Sequence, residues 1–136
     1  MAKTNGQVEV QNLLKDETGE EIAVAGTDVA YTETYLCKKN VNYAFEYQFS
    51  SGGAIDCKIE IEQGNTPPAT EGAASTNMVV PEDAATFDES ITDNTLHVKA
   101  YAPAVTRFLR AKITGQGSNA ATTKLVKFNV STVVNL

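Results

Sequence analysis

The residues able to carry out acid–base or metal chemistry are few and lie far apart in the sequence. His97 is the only histidine, and the two cysteines, Cys37 and Cys57, have no histidine close to them. A zinc site needs several closely spaced sulfur or nitrogen ligands, and a redox pair needs the CxxC spacing. The sequence therefore predicts no metal site and no cofactor. Cys57 occupies an apolar position of an alternating segment, where a thiol behaves as a small hydrophobe, and the two thiols are expected to stay unpaired.

Catalysis has little support from the residue types present. A nucleophilic triad would need His97 beside a serine and an aspartate, and no GxSxG pattern occurs. Glu46, Asp56, Glu60 and Glu62 resemble the paired acids of a glycosidase only superficially, because they occupy the polar positions of alternating segments. A charged stripe on a strand normally serves solvation and edge protection. We expect no catalytic residue, and we interpret His97 as a solvated side chain on the polar side of a strand.

The tyrosines raise a different possibility, which is the stacking of sugars on exposed rings. Tyr43 and Tyr47 share one face of an alternating segment with phenylalanines, which favours a place in the core. Tyr31, Tyr35 and Tyr101 remain as candidates for an exposed platform. Tryptophan, the commonest member of such platforms, is absent from the sequence.

Composition and charge narrow the class of protein further. The chain has 136 residues, of which 42% are hydrophobic, and a formal net charge of −6. One domain spanning residues 1–136 is the default at this length. Nucleic-acid binding is not expected, because its affinity comes mostly from lysine and arginine. No segment is apolar over the ~20 residues that a membrane helix needs, and the first residues lack the apolar core of a signal peptide, so we expect synthesis in a cytoplasm.

The candidate residues must be positioned by strands, because the sequence alternates with a period of two. Residues 41–49 place large apolar side chains at every odd position, and residues 55–62 repeat the pattern. The Gly52-Gly53 pair between them predicts a hairpin. Further strands are predicted at 96–101, with Leu96, Val98 and Ala100 facing inward and Tyr101 outward. In the strand predicted at 107–114, Leu109, Ala111 and Ile113 share the inward side and Arg110 lies on the solvent-facing side. The remaining predicted strands are 7–14, 21–24, 29–34 and 124–134.

Sustained helical periodicity is missing, so the strands must bury their apolar faces against one another. Six to eight short strands separated by turn residues predict an all-β protein with two packed antiparallel sheets. The predicted fold is an antiparallel β-sandwich, for which the jelly roll is one form.

One long surface loop interrupts this pattern at residues 64–94, which are rich in proline, alanine, threonine and acids. Long loops in compact domains commonly bind a partner or move. Met78, Val79, Val80 and Phe87 are our candidates for partner-binding residues. The alternative is that these four side chains attach the loop to its own core. Residues 1–7 are polar and are interpreted as a flexible arm.

Two parts of the sequence resemble small virion proteins of tailed bacteriophages. The first joins residues 42–47 to 56–64, and the second is residues 101–115, where an aromatic-Leu-Arg strand ends in Thr-Gly. The resemblance implies a noncatalytic capsid decoration (cement) or head accessory protein that bridges capsid subunits, often as a trimer. The implied partner is the major capsid protein or another virion protein, and the implied location is the virion after synthesis in the host cytoplasm. The alternative is a carbohydrate-binding module of a phage fibre or tail.

Overall fold

The protein is described by a computed structural model that covers residues 8–14, 22–39 and 41–134. The predicted arm at 1–7 and the turn-like segment at 15–19 lie outside the described residues. The described residues form ten strands and one short 3-10 turn, Asp83–Ala85. The strands are β1 (Val8–Asn12), β2 (Ile22–Ala23), β3 (Val29–Tyr31), β4 (Tyr35–Leu36), β5 (Val41–Ser50), β6 (Cys57–Gly64), β7 (Asp88–Ile91), β8 (His97–Tyr101), β9 (Phe108–Gly115) and β10 (Lys124–Val134).

Two antiparallel five-stranded sheets pack face to face, which confirms the predicted β-sandwich. Sheet I has the order β1-β10-β5-β8, with β2 also paired to β10, and sheet II has the order β3-β9-β6-β7, with β4 also paired to β9. The strand pairs are nested: β1 and β2 pair with β10, β3 and β4 with β9, β5 with β8, and β6 with β7. This nesting of early strands with late ones, divided between two sheets, defines a jelly roll.

The core lies between the two sheets and follows the alternation of the sequence. Along β5 the side chains of Tyr43, Phe45, Tyr47 and Phe49 are all buried, and the residues between them are not. On β9 the predicted inward residues Leu109, Ala111 and Ile113 are fully buried. The side chain of Cys57 is buried as predicted, and both cysteines are free thiols. Burial of apolar area at ~25 cal/mol per Å² is the main term that holds the two sheets together.

The predicted hairpin between β5 and β6 is wrong, because the two strands belong to different sheets. Neither Gly52 nor Gly53 takes the positive φ that a two-residue hairpin turn requires. These two glycines instead allow close approach to the connection between β9 and β10. The Gly52 amide donates to Thr122 Oγ1 at 2.9 Å, and an added Cβ on Gly53 would lie 3.0 Å from the Cβ of Ala120. The chain therefore crosses from sheet I to sheet II here.

Strand β8 faces the opposite way from the prediction. The register pairs Tyr101 with Tyr43 and His97 with Tyr47, so the odd residues of β8 share a row with the inward side chains of β5. Tyr101 is buried, whereas Val98 is 64% exposed and Leu96 is 46% exposed. Pairing with the central strand fixes the orientation of this edge strand, and the hydrophobicity of its own residues does not.

The predicted loop at 64–94 is partly regular structure. Its last part forms β7, which pairs with β6, and Gln63 and Val79 form an isolated β-bridge. Residues 65–78, which we call the covering segment, fold back over the outer face of sheet II. Ala73 in this segment accepts a hydrogen bond from Arg110 Nη1 at 2.7 Å, and Glu71 Oε1 accepts one from the Thr34 amide at 2.7 Å.

Candidate interaction surfaces

The four predicted partner-binding residues occupy different environments. Phe87 lies in the core, with its ring centroid 5.5 Å from that of Phe45 in an edge-on contact. Met78, the last residue of the covering segment, is 2% exposed and packs beside Gly64. Val79 is 61% exposed and Val80 is half-buried. Only Val79 and Val80 are therefore accessible to another molecule, and their role in binding stays a prediction.

His97 does not lie on the solvated side of its strand. Its ring stacks on Tyr47 with centroids 5.4 Å apart, and its Nε2 lies 2.9 Å from Asp93 Oδ1. The hydrogen bond from His97, together with two from Thr95, lowers the pKa of Asp93. Thr95 Oγ1 approaches the same Nε2 atom at 3.4 Å. A catalytic triad needs the acid and the nucleophile on opposite ring nitrogens, so this arrangement does not supply one.

The four acids that superficially resemble the paired acids of a glycosidase are dispersed in the structure. Glu46 lies on sheet I and accepts a hydrogen bond from Asn129 Nδ2 at 2.8 Å. Glu60 lies on sheet II, 3.8 Å from Lys58 Nζ. Asp56 precedes β6 in the connection between the sheets. The expected common stripe does not form, because β5 and β6 are in different sheets.

Glu62 is buried in an ion pair that the sequence did not predict. Its Oε1 accepts a hydrogen bond from Arg110 Nε at 2.9 Å, and the Arg110 side chain is 0% exposed. The Arg110 guanidinium also lies 3.9 Å from the centre of the Tyr31 ring. Alternation placed Arg110 on the outer face of β9, which is correct, but nothing in the sequence indicated that residues 65–78 would cover that face.

The proposed sugar-stacking tyrosines are not available as a platform in the part of the chain that the structure describes. Tyr35 is 2% exposed and Tyr101 is 8% exposed. The Tyr101 hydroxyl lies 2.8 Å from both Gln63 Oε1 and the Ala85 carbonyl oxygen. The face of Tyr31 is occupied by Arg110. No observation on these residues favours the carbohydrate-binding alternative.

The outer face of sheet I is not covered by any described residue, and three of its rows are almost free of charge. Its central row runs across all four strands of the sheet order through Val10, Ser131, Ala44 and Ala100. The flanking rows contain Val8, Val133 and Asn42 on one side and Asn12, Asn129, Glu46 and Val98 on the other. Val8, Val10 and Val98 are each more than half exposed. Glu46 is the one charged residue in these three rows.

The outer face of sheet II has the opposite character. Its rows carry lysines and acids in alternation, and the covering segment buries part of them. The charged residues in these rows are Lys58, Glu60, Glu62, Asp88, Arg110 and Lys112. The two faces of the sandwich therefore differ, since the face of sheet II is charged and partly covered, whereas the three rows of sheet I contain one charge and no described residue covers them.

A groove of about 1250 Å³ opens at one end of the sandwich, between the β4–β5 and β8–β9 connections. Lys38, Lys39 and Arg107 line it, and its described lining contains no carboxylate. Apolar side chains complete the wall, including Leu36 and Val105, and both of these are largely exposed. We call this cavity the end groove.

The end groove also contains a thiol and a tyrosine. Burial raises the pKa of the Cys37 thiol to about 11 and that of Tyr43 to about 12. The Tyr43 hydroxyl accepts a hydrogen bond from the Lys38 amide at 2.6 Å. The thiol is therefore protonated at neutral pH and is a poor nucleophile, because the thiolate is the reactive form. The groove suits binding more than covalent chemistry.

Two further features concern residues 8–14, 22–39 and 41–134, the part of the chain that the structure describes. Within these ranges no three histidine, cysteine or carboxylate side chains are grouped so that they could hold a metal ion. The same ranges contain no helix with the length and apolar character needed to cross a membrane.

Comparison with known proteins gives a likeness of fold. No family model matches the sequence, and no curated protein matches it. A chain in the structure of infectious bursal disease virus, Gx strain, superposes with a TM-score of 0.52 and 12% identity over 97% of this chain. The present chain spans about a third (34%) of that viral chain. At this identity the likeness is one of fold alone.

Two other solved structures are less similar. The Gt strain of the same virus gives a TM-score of 0.44 with 10% identity, over 98% of this chain and 33% of that one. Dimeric latent PorU from Porphyromonas gingivalis gives 0.38 with 14% identity, over 99% of this chain and 13% of that one. Neither adds to the assignment of the fold.

Proposed function

We propose that this chain is a noncatalytic virion structural protein of a tailed bacteriophage, and that it decorates the capsid by bridging neighbouring shell subunits. The observation that carries the proposal is the outer face of sheet I, where exposed valines lie in rows with a single charge, on an otherwise acidic jelly roll. Jelly rolls are a recurrent unit of viral capsid proteins, and the fold likeness to a virus chain supports this class. The resemblance of residues 101–115 to phage virion proteins supports the finer assignment.

The size of the open face explains why many copies would be needed. Four strands ~4.8 Å apart and rows spanning about six residues at ~3.4 Å each give roughly 400 Å². A stable pairwise interface buries ~800 Å² on each partner. Docking through this face alone would be weak, and attachment to a symmetric shell would gain strength from simultaneous contacts of linked copies. A decoration protein meets that condition.

The test is binding to shells assembled from the major capsid protein of the same phage. Val10→Asp and Val98→Asp each place a charge on the outer face of sheet I. We expect each to reduce the bound fraction in co-sedimentation by at least about tenfold, because an unpaired carboxylate would be desolvated at the contact. Val29→Asp is the matched control, since Val29 is 48% exposed on sheet II.

Equal binding by all three variants would show that sheet I is not the docking face. Failure of the wild-type protein to bind shells would contradict the decoration role itself. Circular dichroism of each variant establishes that the fold is retained.

A further inference from the structure

The end groove carries three cations in a chain with a net charge of −6. Lys38 is paired with Glu9, which lies outside the groove lining, whereas Lys39 and Arg107 lie beside apolar side chains in a lining whose described residues include no carboxylate. Such a groove is complementary to a segment in which exposed apolar residues are followed by acids. A free polyanion such as nucleic acid fits less well, because Tyr43 and Tyr101 in its wall are buried and offer no stacking surface.

The chain itself contains a segment with these properties at residues 79–83. Val79 is 61% exposed, Val80 and Pro81 are half-buried, and Glu82 and Asp83 are exposed. We call this stretch the acidic segment. It was included among the predicted partner-binding residues through Val79 and Val80.

The acidic segment is held in a fixed conformation. Val79 exchanges two backbone hydrogen bonds with Gln63, at 2.7 and 3.1 Å. Thr86 Oγ1 donates to the Pro81 carbonyl oxygen at 2.7 Å, and the Thr86 amide donates to the Asp83 carbonyl oxygen at 3.1 Å. A segment already ordered loses little conformational entropy on binding. The segment can therefore present Val79, Glu82 and Asp83 to a partner with little loss of conformational entropy.

Gln63 lies between the acidic segment and the end groove. Its backbone pairs with Val79 on one side, and its side-chain Nε2 donates to the Ala104 carbonyl oxygen and to Thr106 Oγ1, at 2.9 and 2.7 Å, in the groove wall. The two surfaces are thus close together at one end of the molecule but lie on opposite sides of β6. A contact between different surfaces of identical subunits is heterologous, and it closes into a ring when the rotation allows.

We propose that the acidic segment of one copy occupies the end groove of the next, so that copies of the protein associate through a heterologous contact. In this contact Val79 packs against Leu36 and Val105, while Glu82 and Asp83 face Lys39 and Arg107. The inference concerns self-association and does not depend on binding to a shell.

Charge reversal tests the contact through the mass of the particle in solution. Wild-type protein is expected to elute in light-scattering chromatography at no less than twice the 14.5 kDa of one chain. Lys39→Glu/Arg107→Glu and Glu82→Lys/Asp83→Asn should each be monomeric. Asparagine is chosen at position 83 because Asp83 has a φ of 58°, which asparagine tolerates. A mixture of the two variants should recover larger species, because each supplies the surface that the other lacks.

Lys127→Glu provides a control, since it reverses one charge on sheet I, away from both surfaces. It should keep the wild-type mass. Chemical crosslinking gives a second measurement: the double variant Val79→Cys/Val105→Cys should form an intermolecular product with a short bismaleimide, because Val105 is exposed in the groove, and neither single variant should.

Monomeric wild-type protein, or an oligomer that survives both charge reversals, would overturn the proposal. If the wild type is monomeric and the groove variant loses shell binding, the groove receives an acidic segment of another virion protein, and the self-association proposal is wrong. If the groove variant binds nucleic acid less well than the wild type and the mass is unchanged, a polyanion is the ligand, and the proposal is again wrong.

Discussion

At the scale of single residues, two buried tyrosines differ only in whether their hydroxyl has a partner. The Tyr101 hydroxyl contacts Gln63 Oε1 and the Ala85 carbonyl oxygen, whereas the Tyr47 hydroxyl has no hydrogen-bond partner among the described residues. Gln63 Oε1 also accepts from the Ala104 amide, so Tyr101→Phe leaves the Ala85 carbonyl oxygen without this donor and should reduce the free energy of unfolding by about 1–3 kcal/mol. Tyr47→Phe removes an unsatisfied group and should change it by less than about 1 kcal/mol.

Urea unfolding of the two variants measures this difference directly. Each variant is the control for the other, because both remove one oxygen atom from a core ring. Equal losses of stability would show that the hydrogen bonds of Tyr101 are not what stabilises this part of the core.

The buried pair of Arg110 and Glu62 gives a second prediction at this scale. Removing one partner leaves an uncompensated charge, so Glu62→Gln should cost about 3–5 kcal/mol. The double variant Glu62→Leu/Arg110→Met should cost clearly less than the sum of its single changes, since neither charge remains. Glu60→Gln, two residues along the same strand in a partly exposed pair, should cost at most about 1 kcal/mol.

A double-mutant cycle by chemical denaturation checks the coupling. Additive effects of the two single changes would show that the ion pair does not act as a unit. Alternation was sufficient to predict the orientation of both side chains on their strands. It could not predict their burial, because that depends on a segment that folds back from residues 65–78.

At the scale of elements, Gly64 attaches the covering segment to sheet II. A Cβ at this position would lie 2.2 Å from the backbone oxygen of Asn77 and 3.3 Å from Met78 Sδ. Gly64→Ala should therefore displace the covering segment and reduce the free energy of unfolding by about 1–3 kcal/mol. Gly52→Ala is the control, because its Cβ would meet only the Thr122 side chain, at 3.2 Å.

Hydrogen exchange provides the measurement for this pair of variants. Faster exchange in residues 65–78 is expected for Gly64→Ala and not for Gly52→Ala. Unchanged protection of those residues in Gly64→Ala would show that the close approach to Asn77 is not required to hold the segment.

Strand assignments from the sequence were accurate for central strands. They failed where the partner or the orientation of a strand depends on which other strand it pairs with. The alternation of β5, β6 and β9 defined their inward faces, because both neighbours of a central strand are apolar on that side. In β10 a bulge between Leu125 and Lys127 interrupts the alternation. The partner of β6 was wrong, because a connection containing two glycines has the same composition in a hairpin and in a crossing between sheets. The orientation of β8 was wrong because His97 and Tyr101 face the core through pairing with β5.

At the scale of the whole molecule, the buried tyrosines and the thiol of Cys37 make the fold sensitive to alkali. Burial raises the pKa of Tyr47 to about 12 from 10.0 and that of Cys37 to about 11 from 9.0. The folded state then holds these protons more tightly than the unfolded state, so their contribution to stability is complete below pH about 9 and is lost as the pH rises through about 11–12.

We expect the free energy of unfolding in urea to be nearly constant around neutral pH and to fall steeply above pH about 10. Cys37→Ser should begin its decline at a higher pH than the wild type. A stability that rises with pH across this range would contradict the burial of these groups.

The fold class followed from composition and period, whereas the two candidate surfaces did not. The open face of sheet I became visible only when β1, β10, β5 and β8 were aligned side by side, since Val10, Ala44 and Ala100 are distant in sequence. The end groove likewise joins residues from connections far apart in the chain. The sequence supplied the acidic segment, through Val79 and Val80, but not the surface complementary to it.

The central claim is that this protein is a structural part of a virus particle, and the most direct measurement is its amount in purified phage particles. Particles isolated on a density gradient, treated with protease-free high-salt washes and analysed by quantitative mass spectrometry should contain the chain at a fixed ratio to the major capsid protein. Recovery of the chain only in the fraction free of particles would contradict the account.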